Sequence, residues 1–442
     1  MKVLVVSNGY PPRGGFGTEF YTRELVQGLR ARGHDVAVLH PERSGARPRY
    51  ELEPVDEGGV PIWLLHNPGD PSKRFESSYR DPGVERAFDA LLARERPELV
   101  HFTYLLWGLS VGLPAVARAR GIPSLATLTD HGLLCHRGQM FDASLRRCFG
   151  PHPPAVCARC IRRPTPFDHT PVERVVRRVA AGVLAAVGGA GRVVVARDLA
   201  RREAAVRECL ATLVRLIAPT AHLAGLFERA GTPRAKLLRL CYAFDEEPYR
   251  AVRSAPPPAR TRFVFLGQFA PHKGLATLVA AARALDAADP RREWELVLHG
   301  GPSAGRHRRY AAEVLTGVDP RRIRVAAPFA PEQAPSVLAG FSALVAPSEW
   351  DENAPLAVLQ ARAAGLPVIA SDVPGIAEVL PAANGRLCAV GDAPGLAEAM
   401  RAVVRGELAR PVPAGLPVPF SYHLDSIEAV HREVRASARG LA

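Results

Sequence analysis

"RFVFLGQFAPHKGLATLVAAARAL" (262–285) reads as strand, loop and helix in direct succession. Phe263–Leu266 is a short apolar run of the kind that fills a sheet buried on both faces. Gly267 and Gly274 bracket a loop containing Pro271, His272 and Lys273, and an Ala/Leu-rich helix is expected from Gly274 onward. The chain opens in the same way. Lys2–Ser7 is a β-branched run, a Gly/Pro loop spans Gly9 to Gly17, and a helix runs to about Arg32, where "RGHDVAVLH" ends it at Gly33 and begins a strand at Asp35. That is a βαβ unit, so the chain starts two parallel sheets.

Outward from these openings the rhythm continues. "PELVHFTY" (97–104), "IPSLATLTD" (122–130) and "LVRLIAPT" (213–220) extend the first set of strands, and "GRVVVARD" (191–198) fits a strand or a helix. "WELVLHGG" (294–301), "IRVAAPF" (323–329), "SALVAPS" (342–348) and "LPVIASD" (366–372) extend the second. The Pro-rich "RSAPPPART" (253–261) is a stiff linker between them. The expected layout is a domain over 1–252 with an insertion at about 131–215, a second domain over 262–420, and a helix in 421–442. Ile427, Val430 and Val434 give that helix one apolar face, by which it would cross back to the first domain.

A chain of 442 residues suits two or three domains. No apolar run is long enough for a membrane-spanning helix. The opening lacks the apolar region and cleavage site of a signal peptide, so a cytoplasmic chain with reduced thiols is expected. The net charge of +13 is concentrated: residues 137–215 carry 15 arginines against six acidic residues. A GC-rich genome yields such arginine bias without function. An anionic lipid surface or a phosphorylated acceptor would also use it, through helices around Val175, Val179 and Val183 flanked by Arg174, Arg177 and Arg178. Nucleic acid is not expected as a partner, since no basic–aromatic pattern or DNA-reading motif is present.

In doubly wound sheets ligands sit at the carboxyl ends of the strands. Two segments of the second domain bring chemistry to that rim. In "GQFAPHKG" (267–274) Lys273 stands beside a helix N-terminus, which attracts anions. In "PSEWDENAPLAVLQARAAGLPVIASD" (347–372) Pro355 suits a first helical turn, Leu356 and Ala357 present backbone N–H groups, and Glu352 stands just ahead of them. Lys273 with the helix end would hold a diphosphate, and Glu352 would accept hydrogen bonds from hydroxyls. A diphosphate plus hydroxyls describes a nucleotide sugar.

These stretches, with "NGYPPRGGFGTEFYTRELVQGLRARGHDVAVL" and "NGRLCAVGD", resemble in order and spacing the family 4 retaining glycosyltransferases. The resemblance runs nearly end to end. It implies the GT-B fold: two facing Rossmann-like doubly wound α/β domains with a central cleft. It implies Lys273, Glu352 and Asp130 as catalytic residues, with Glu352 on the hexose hydroxyls. Gly17, Gly267, Gln268, Asn353, Leu356, Ala357 and Gln360 would complete the donor site. Gly15, Thr18, Glu19 and His131 would face the acceptor. Asp130, in "TLTDHGLLC" (127–135), fits the family's position near the sugar better than His131 does. Two positions depart from the pattern. The second donor-site Glu is Gln360, and Gln268 stands where many members carry Arg. Glu349 and Asp351 match no role and are read as cap or surface acids. The family is thought to need no catalytic metal.

Cys135, Cys148, Cys157 and Cys160 cluster as C-x12-C-x8-C-x2-C. A structural Zn2+, a disulfide pair and unlinked thiols all fit that spacing. Cys209, Cys241 and Cys388 look like core residues. The expected activity is transfer of a sugar with retention from a nucleotide-sugar to a glycan or lipid-linked acceptor, in cell-surface polysaccharide or glycoconjugate synthesis. A peripheral position on the inner face of the membrane would suit that acceptor. The competing readings are a weak or inactive relative that binds a nucleotide-sugar or acts as a scaffold, and a nucleotide-sugar epimerase on the same fold.

Overall fold

The computed structural model describes residues 1–15, 17–69, 74–163, 165, 194–288, 290, 293–302, 305–408, 410 and 415–439. The chain forms two compact units. One comprises Met1–Gly138, Arg197–Asp245 and Pro417–Ala442; the other comprises Gln139–Ala196 and Glu246–Leu416.

Among the described residues the first unit is built on eight strands: β1 (Lys2–Val6), β2 (Asp35–Glu42), β3 (Leu52–Glu57), β4 (Val60–His66), β5 (Leu99–Phe102), β6 (Ser124–Thr127), β7 (Arg215–Ala218) and β8 (Leu237–Arg239). Their order is β3-β4-β2-β1-β5-β6-β7-β8. Of these strand pairs the β3–β4 pair is antiparallel and the others are parallel. β1 is central, with Val3 opposite Val36 on one side and Leu99 on the other. Val3–Val6, Val36, Val38, Leu39, Leu99 and Val100 are almost wholly buried, as a sheet covered on both faces requires. The helix Gly17–Ala31 buries Tyr21, Leu25, Val26 and Leu29 beneath it.

The helix Phe420–Arg439 belongs to this unit. Leu424, Ile427, Val430 and Val434 are its buried face. The same face carries two histidines that the apolar pattern did not reveal. His431 Nε2 lies 3.0 Å from His101 Nδ1 on β5, and His101 Nε2 lies 2.8 Å from Thr127 Oγ1. His423 bonds Tyr21 OH at 3.2 Å and the carbonyl of Cys241 at 2.9 Å.

Burial holds His101 at a pKa of about 3 and His423 at about 4, and pushes His431 well below its ordinary value of 6.5. All three are therefore neutral in the fold and readily protonated in the unfolded chain. Their contribution to stability is complete above pH 6.5 and is lost as the pH falls from there toward 4 and 3. The thermal midpoint of the first unit is expected to fall steeply over that window. His423→Gln, which cannot acquire the charge, should flatten the slope; an unchanged slope would remove His423 from the account.

Among the described residues the second unit has six strands, all parallel: β9 (Thr261–Gln268), β10 (Trp294–Gly301), β11 (Ile323–Ala326), β12 (Ala343–Ala346), β13 (Val368–Ser371) and β14 (Gly385–Cys388), ordered β11-β10-β9-β12-β13-β14. Phe263, Phe265, Leu296, Leu298, Val345 and Ile369 lie in its core. β9 is central, and strand order reverses there. The loops leaving β9 and β12 therefore emerge side by side at the carboxyl rim.

Three features depart from the sequence expectation. The Pro-rich 253–261 segment lies inside the second unit, and the boundary falls at Asp245–Glu246. The part of the insertion from Gln139 to Ala196 groups with the second unit rather than the first. Of the ambiguous 191–198 stretch, Val194 and Val195 are not in a strand and Ala196 begins a helix to Thr212. The basic stretch with Arg174, Arg177, Arg178, Val175, Val179 and Val183 lies outside the described residues. Among the described residues no helix is long and apolar enough to cross a membrane.

Candidate active site

The second unit assembles most of the residues singled out. After β9, Pro271–Lys273 forms one tight helical turn, and the helix proper begins at Leu275. Gly274 joins them at φ +69°, a left-handed backbone. A Cβ there would lie 1.8 Å from the carbonyl oxygen of Pro347, so the loop after β9 touches the backbone of the loop after β12. The amide of Glu349 donates to the carbonyl of His272 at 2.9 Å, which stitches the loops together again.

This contact brings Lys273 to Glu352. Lys273 Nζ is 2.7 Å from Glu352 Oε1, and Ser348 Oγ donates to the same oxygen at 2.6 Å. Glu352 is 4% exposed. The Lys273 ammonium also lies 4.8 Å from the centre of the Trp350 ring. A cation and a carboxylate are thus fixed as neighbours, one suited to phosphate and the other to hydroxyls. Behind Glu352, a Cβ on Gly375 would sit 1.8 Å from its carbonyl oxygen, so the turn after β13 presses against this backbone.

Pro355 is the cap of the helix Leu356–Ala363 rather than its first residue. Leu356 and Ala357 are its first two positions, whose N–H groups have no acceptor within a helix. Asn353 and Gln360 are nearly buried, at 8% and 9% exposure. Gln360 is four residues beyond Leu356 and so lies on the same helix face. Gly267 and Gln268 end β9.

Glu349 and Asp351 are not surface acids. Glu349 accepts from Thr277 Oγ1 at 2.6 Å, and burial raises its pKa above the ordinary value. Asp351 is 2% exposed, and its Oδ1 accepts from Arg147 Nε at 2.8 Å and also from Arg147 Nη2. The partners Thr277 and Arg147 are distant in sequence, so no local pattern could show the pairing.

The first unit holds a second group, at the carboxyl ends of β5 and β6. A pocket there is lined by Tyr104, Leu106, Thr127, Thr129, Asp130 and Leu133 among others. Asp130 Oδ2 accepts from Tyr104 OH at 2.9 Å and Oδ1 from the amide of Gly132 at 2.8 Å. Burial raises the Asp130 pKa above its ordinary 3.8, although the two hydrogen bonds and Arg202 pull it down.

The charged form of Asp130 is therefore disfavoured in the fold. Its stabilising contribution is full below pH 3.8 and is lost as the pH rises through the folded value. Asp130→Asn should unfold at a temperature equal to or above that of the unaltered chain at pH 7, with an advantage that shrinks in acid. A variant that is less stable at pH 7 would contradict this reading.

The acceptor-side residues are placed differently from one another. His131 is fully buried. Glu19 is 3% exposed under the loop after β1, where Asn8 Nδ2 donates to it at 2.9 Å. A Cβ on Gly14 would lie 2.7 Å from Glu19 Cγ, so that glycine makes room for Glu19. Gly15 faces open space, and Gly17 and Thr18 begin the first helix.

Cys157 and Cys160 lie three residues apart on the helix Pro154–Arg162. None of the seven cysteines is in a disulfide. Among the described residues no group of three or more His, Cys, Asp or Glu side chains is placed to hold a metal ion.

Residues 260–405 match the family described as glycosyl transferases group 1, and residues 16–162 match the glycosyl transferase 4-like domain. The chain belongs to the group 1, family 4 glycosyltransferases. The two matches take in both groups of residues just described. Over 137 residues the chain is 34% identical to D-inositol 3-phosphate glycosyltransferase of Corynebacterium glutamicum, covering 30% of this chain and 32% of that one. Over 186 residues it is 28% identical to the enzyme of the same name from Nocardia farcinica, covering 40% and 41%. The aligned stretches thus span less than half the length of these relatives.

Solved structures align almost end to end. Sucrose-phosphate synthase from Thermosynechococcus elongatus superposes with a TM-score of 0.63 at 18% identity, over 100% of this chain and 98% of that one. The Anabaena protein HepE in complex with UDP and glucose superposes with a TM-score of 0.60 at 14% identity, over 98% and 99%. At such identities the likeness speaks for the fold alone. That fold is GT-B, with two α/β units on mostly parallel sheets.

Proposed function

We propose that this glycosyltransferase takes its sugar from a nucleoside-diphosphate sugar bound in the second unit and transfers it with retention of configuration. The acceptor would be a hydroxyl of a glycan or lipid-linked saccharide, in cell-surface polysaccharide or glycoconjugate synthesis. The observation that carries the donor reading is the Lys273–Glu352 pair beside the N-terminus of Leu356–Ala363.

The residues divide the work between them. Lys273 and the amides of Leu356 and Ala357 would take the diphosphate, whose negative charge grows as the sugar–phosphate bond breaks. Glu352 would accept hydrogen bonds from the sugar hydroxyls, and Gln360 would reach the ribose. Asp130 would orient hydroxyls in the pocket of the first unit. The protein's share is positioning and charge stabilisation, with no covalent intermediate on a side chain. The relatives with curated names act on D-inositol 3-phosphate, and an anionic acceptor or membrane surface suits the arginine surplus of residues 137–215.

A thermal-shift screen over nucleotide-sugars tests the donor reading, since a ligand of the folded state raises the unfolding midpoint. At least one donor should raise it. Gln360→Glu should then strengthen the response by about 1 kcal/mol, because charged acceptors make stronger hydrogen bonds than neutral ones. No response to any nucleotide-sugar would remove the donor site. Binding without turnover would favour a non-catalytic relative, which the neutral Gln268 and Gln360 would explain.

A further inference from the structure

A short hairpin follows Gly138. Phe141 and Arg147 pair as an isolated antiparallel bridge, and the amide of Cys148 donates to the carbonyl of Met140 at 2.8 Å. Asp142 closes the turn by accepting from the amides of Ser144 at 2.7 Å and Arg146 at 3.0 Å. The hairpin belongs to the second unit, and it rests on both loops of the donor site. Gln139 Nε2 is 3.5 Å from His272 Nε2, and the Phe141 ring meets the His272 ring edge-on at 6.3 Å. Arg147 reaches the other loop and binds Asp351 through Nε and Nη2.

His272 and Asp351 are the immediate chain neighbours of Lys273 and Glu352. The His272 ring also packs on Trp350 at 5.0 Å, and Trp350 lies beneath the Lys273 ammonium. The hairpin therefore grips the residue next to each member of the Lys273–Glu352 pair. Its charge matters as well. Asp351 is a buried carboxylate adjoining the place where, on the donor reading, a diphosphate and Glu352 gather negative charge. Without the Arg147 guanidinium, its charge would act on the diphosphate and on Lys273 in surroundings that screen charge poorly.

We infer that Arg147 is a positioning residue of the donor site: by neutralising Asp351 it leaves Lys273 available to the diphosphate, and the hairpin Gln139–Phe149 is the clasp that delivers it. This rests on the donor reading of Lys273 and Glu352. It adds to that reading a specific electrostatic cause for the acid at position 351 and for the hairpin.

The test is calorimetric titration of the full chain with UDP, ADP, GDP and dTDP. At least one should bind, and Lys273→Ala should weaken it. Arg147→Gln is expected to weaken the same nucleotide about tenfold. Asp351→Asn should bind within about threefold of the unaltered chain, and Arg147→Gln combined with Asp351→Asn should recover to that level. This recovery separates charge compensation from packing, because a hairpin that only staples the loops would not be repaired by removing the charge it no longer meets. If Arg147→Gln does not fold, the double variant and Asp351→Asn still decide. Weak binding by both would overturn the inference. So would wild-type affinity in Arg147→Gln while Lys273→Ala is impaired, and the donor reading would then stand without it. A chain that binds none of the four, or binds them equally after Lys273→Ala, would overturn both.

Discussion

Lys273→Ala should lower turnover at saturating donor by at least about tenfold. The structure gives two causes. Lys273 is the ammonium held at the helix N-terminus where the diphosphate is proposed to lie, so its loss removes charge stabilisation as the sugar–phosphate bond breaks. It is also the partner of Glu352, which is 4% exposed. Removing one member of a buried pair leaves the other desolvated and uncompensated, at a cost of about 3 kcal/mol or more. The fall should therefore appear in donor affinity and in turnover, with some loss of stability in the second unit. Lys273→Arg should keep part of the affinity, because it preserves the charge, but not the full rate, because its planar fork cannot reproduce the compact contact. Unaltered turnover of Lys273→Ala at saturating donor would refute the phosphate role.

Gly274→Ala should be among the most damaging single methyls in the second unit. The left-handed backbone at φ +69° disfavours any Cβ, and this Cβ would meet the Pro347 carbonyl oxygen at 1.8 Å and its carbon at 2.7 Å. Neither backbone can move without parting the loops after β9 and β12, and the Lys273–Glu352 pair depends on their contact. A loss of about 3 kcal/mol or more in the second unit, with loss of nucleotide binding, is expected. Gly301→Ala is the control, since nothing lies within 4 Å of a Cβ there. Calorimetric unfolding of both variants checks the pair. Equal midpoints would show that the two loops are not locked through Gly274.

What the sequence disclosed and what it withheld follow one physical division. Residues 262–285 were legible because every signal in them is local: an apolar run, bracketing glycines and a helix start. The glycine joint between turn and helix was visible, although the carbonyl it accommodates was not. Asp351 was misread for the opposite reason. Acids before a helix are usually caps, and its partner Arg147 lies 204 residues earlier. The contact between His101 and His431 spans 330 residues and leaves no periodic trace. The Pro-rich 253–261 stretch was read as a stiff linker between the domains, yet it lies inside the second unit; proline content reports stiffness, not where packing ends.

One missed element was within reach. Gly58 and Gly59, both at positive φ, join β3 to β4 in the two-residue turn that antiparallel hairpins favour. The run "DEGGV" (56–60) carried that signal.

The central claim is that the second unit binds a nucleotide-sugar and activates its departure with retention. The most direct measurement is proton NMR of the sugar that the purified full chain releases to water or transfers to an acceptor from each donor of a nucleotide-sugar panel. The anomeric configuration must be read before it equilibrates. The account predicts a slow release from at least one donor, with the anomeric configuration of that donor kept in the product and the rate lowered at least about tenfold by Lys273→Ala. An inverted product, or release that is unchanged by Lys273→Ala, would contradict it.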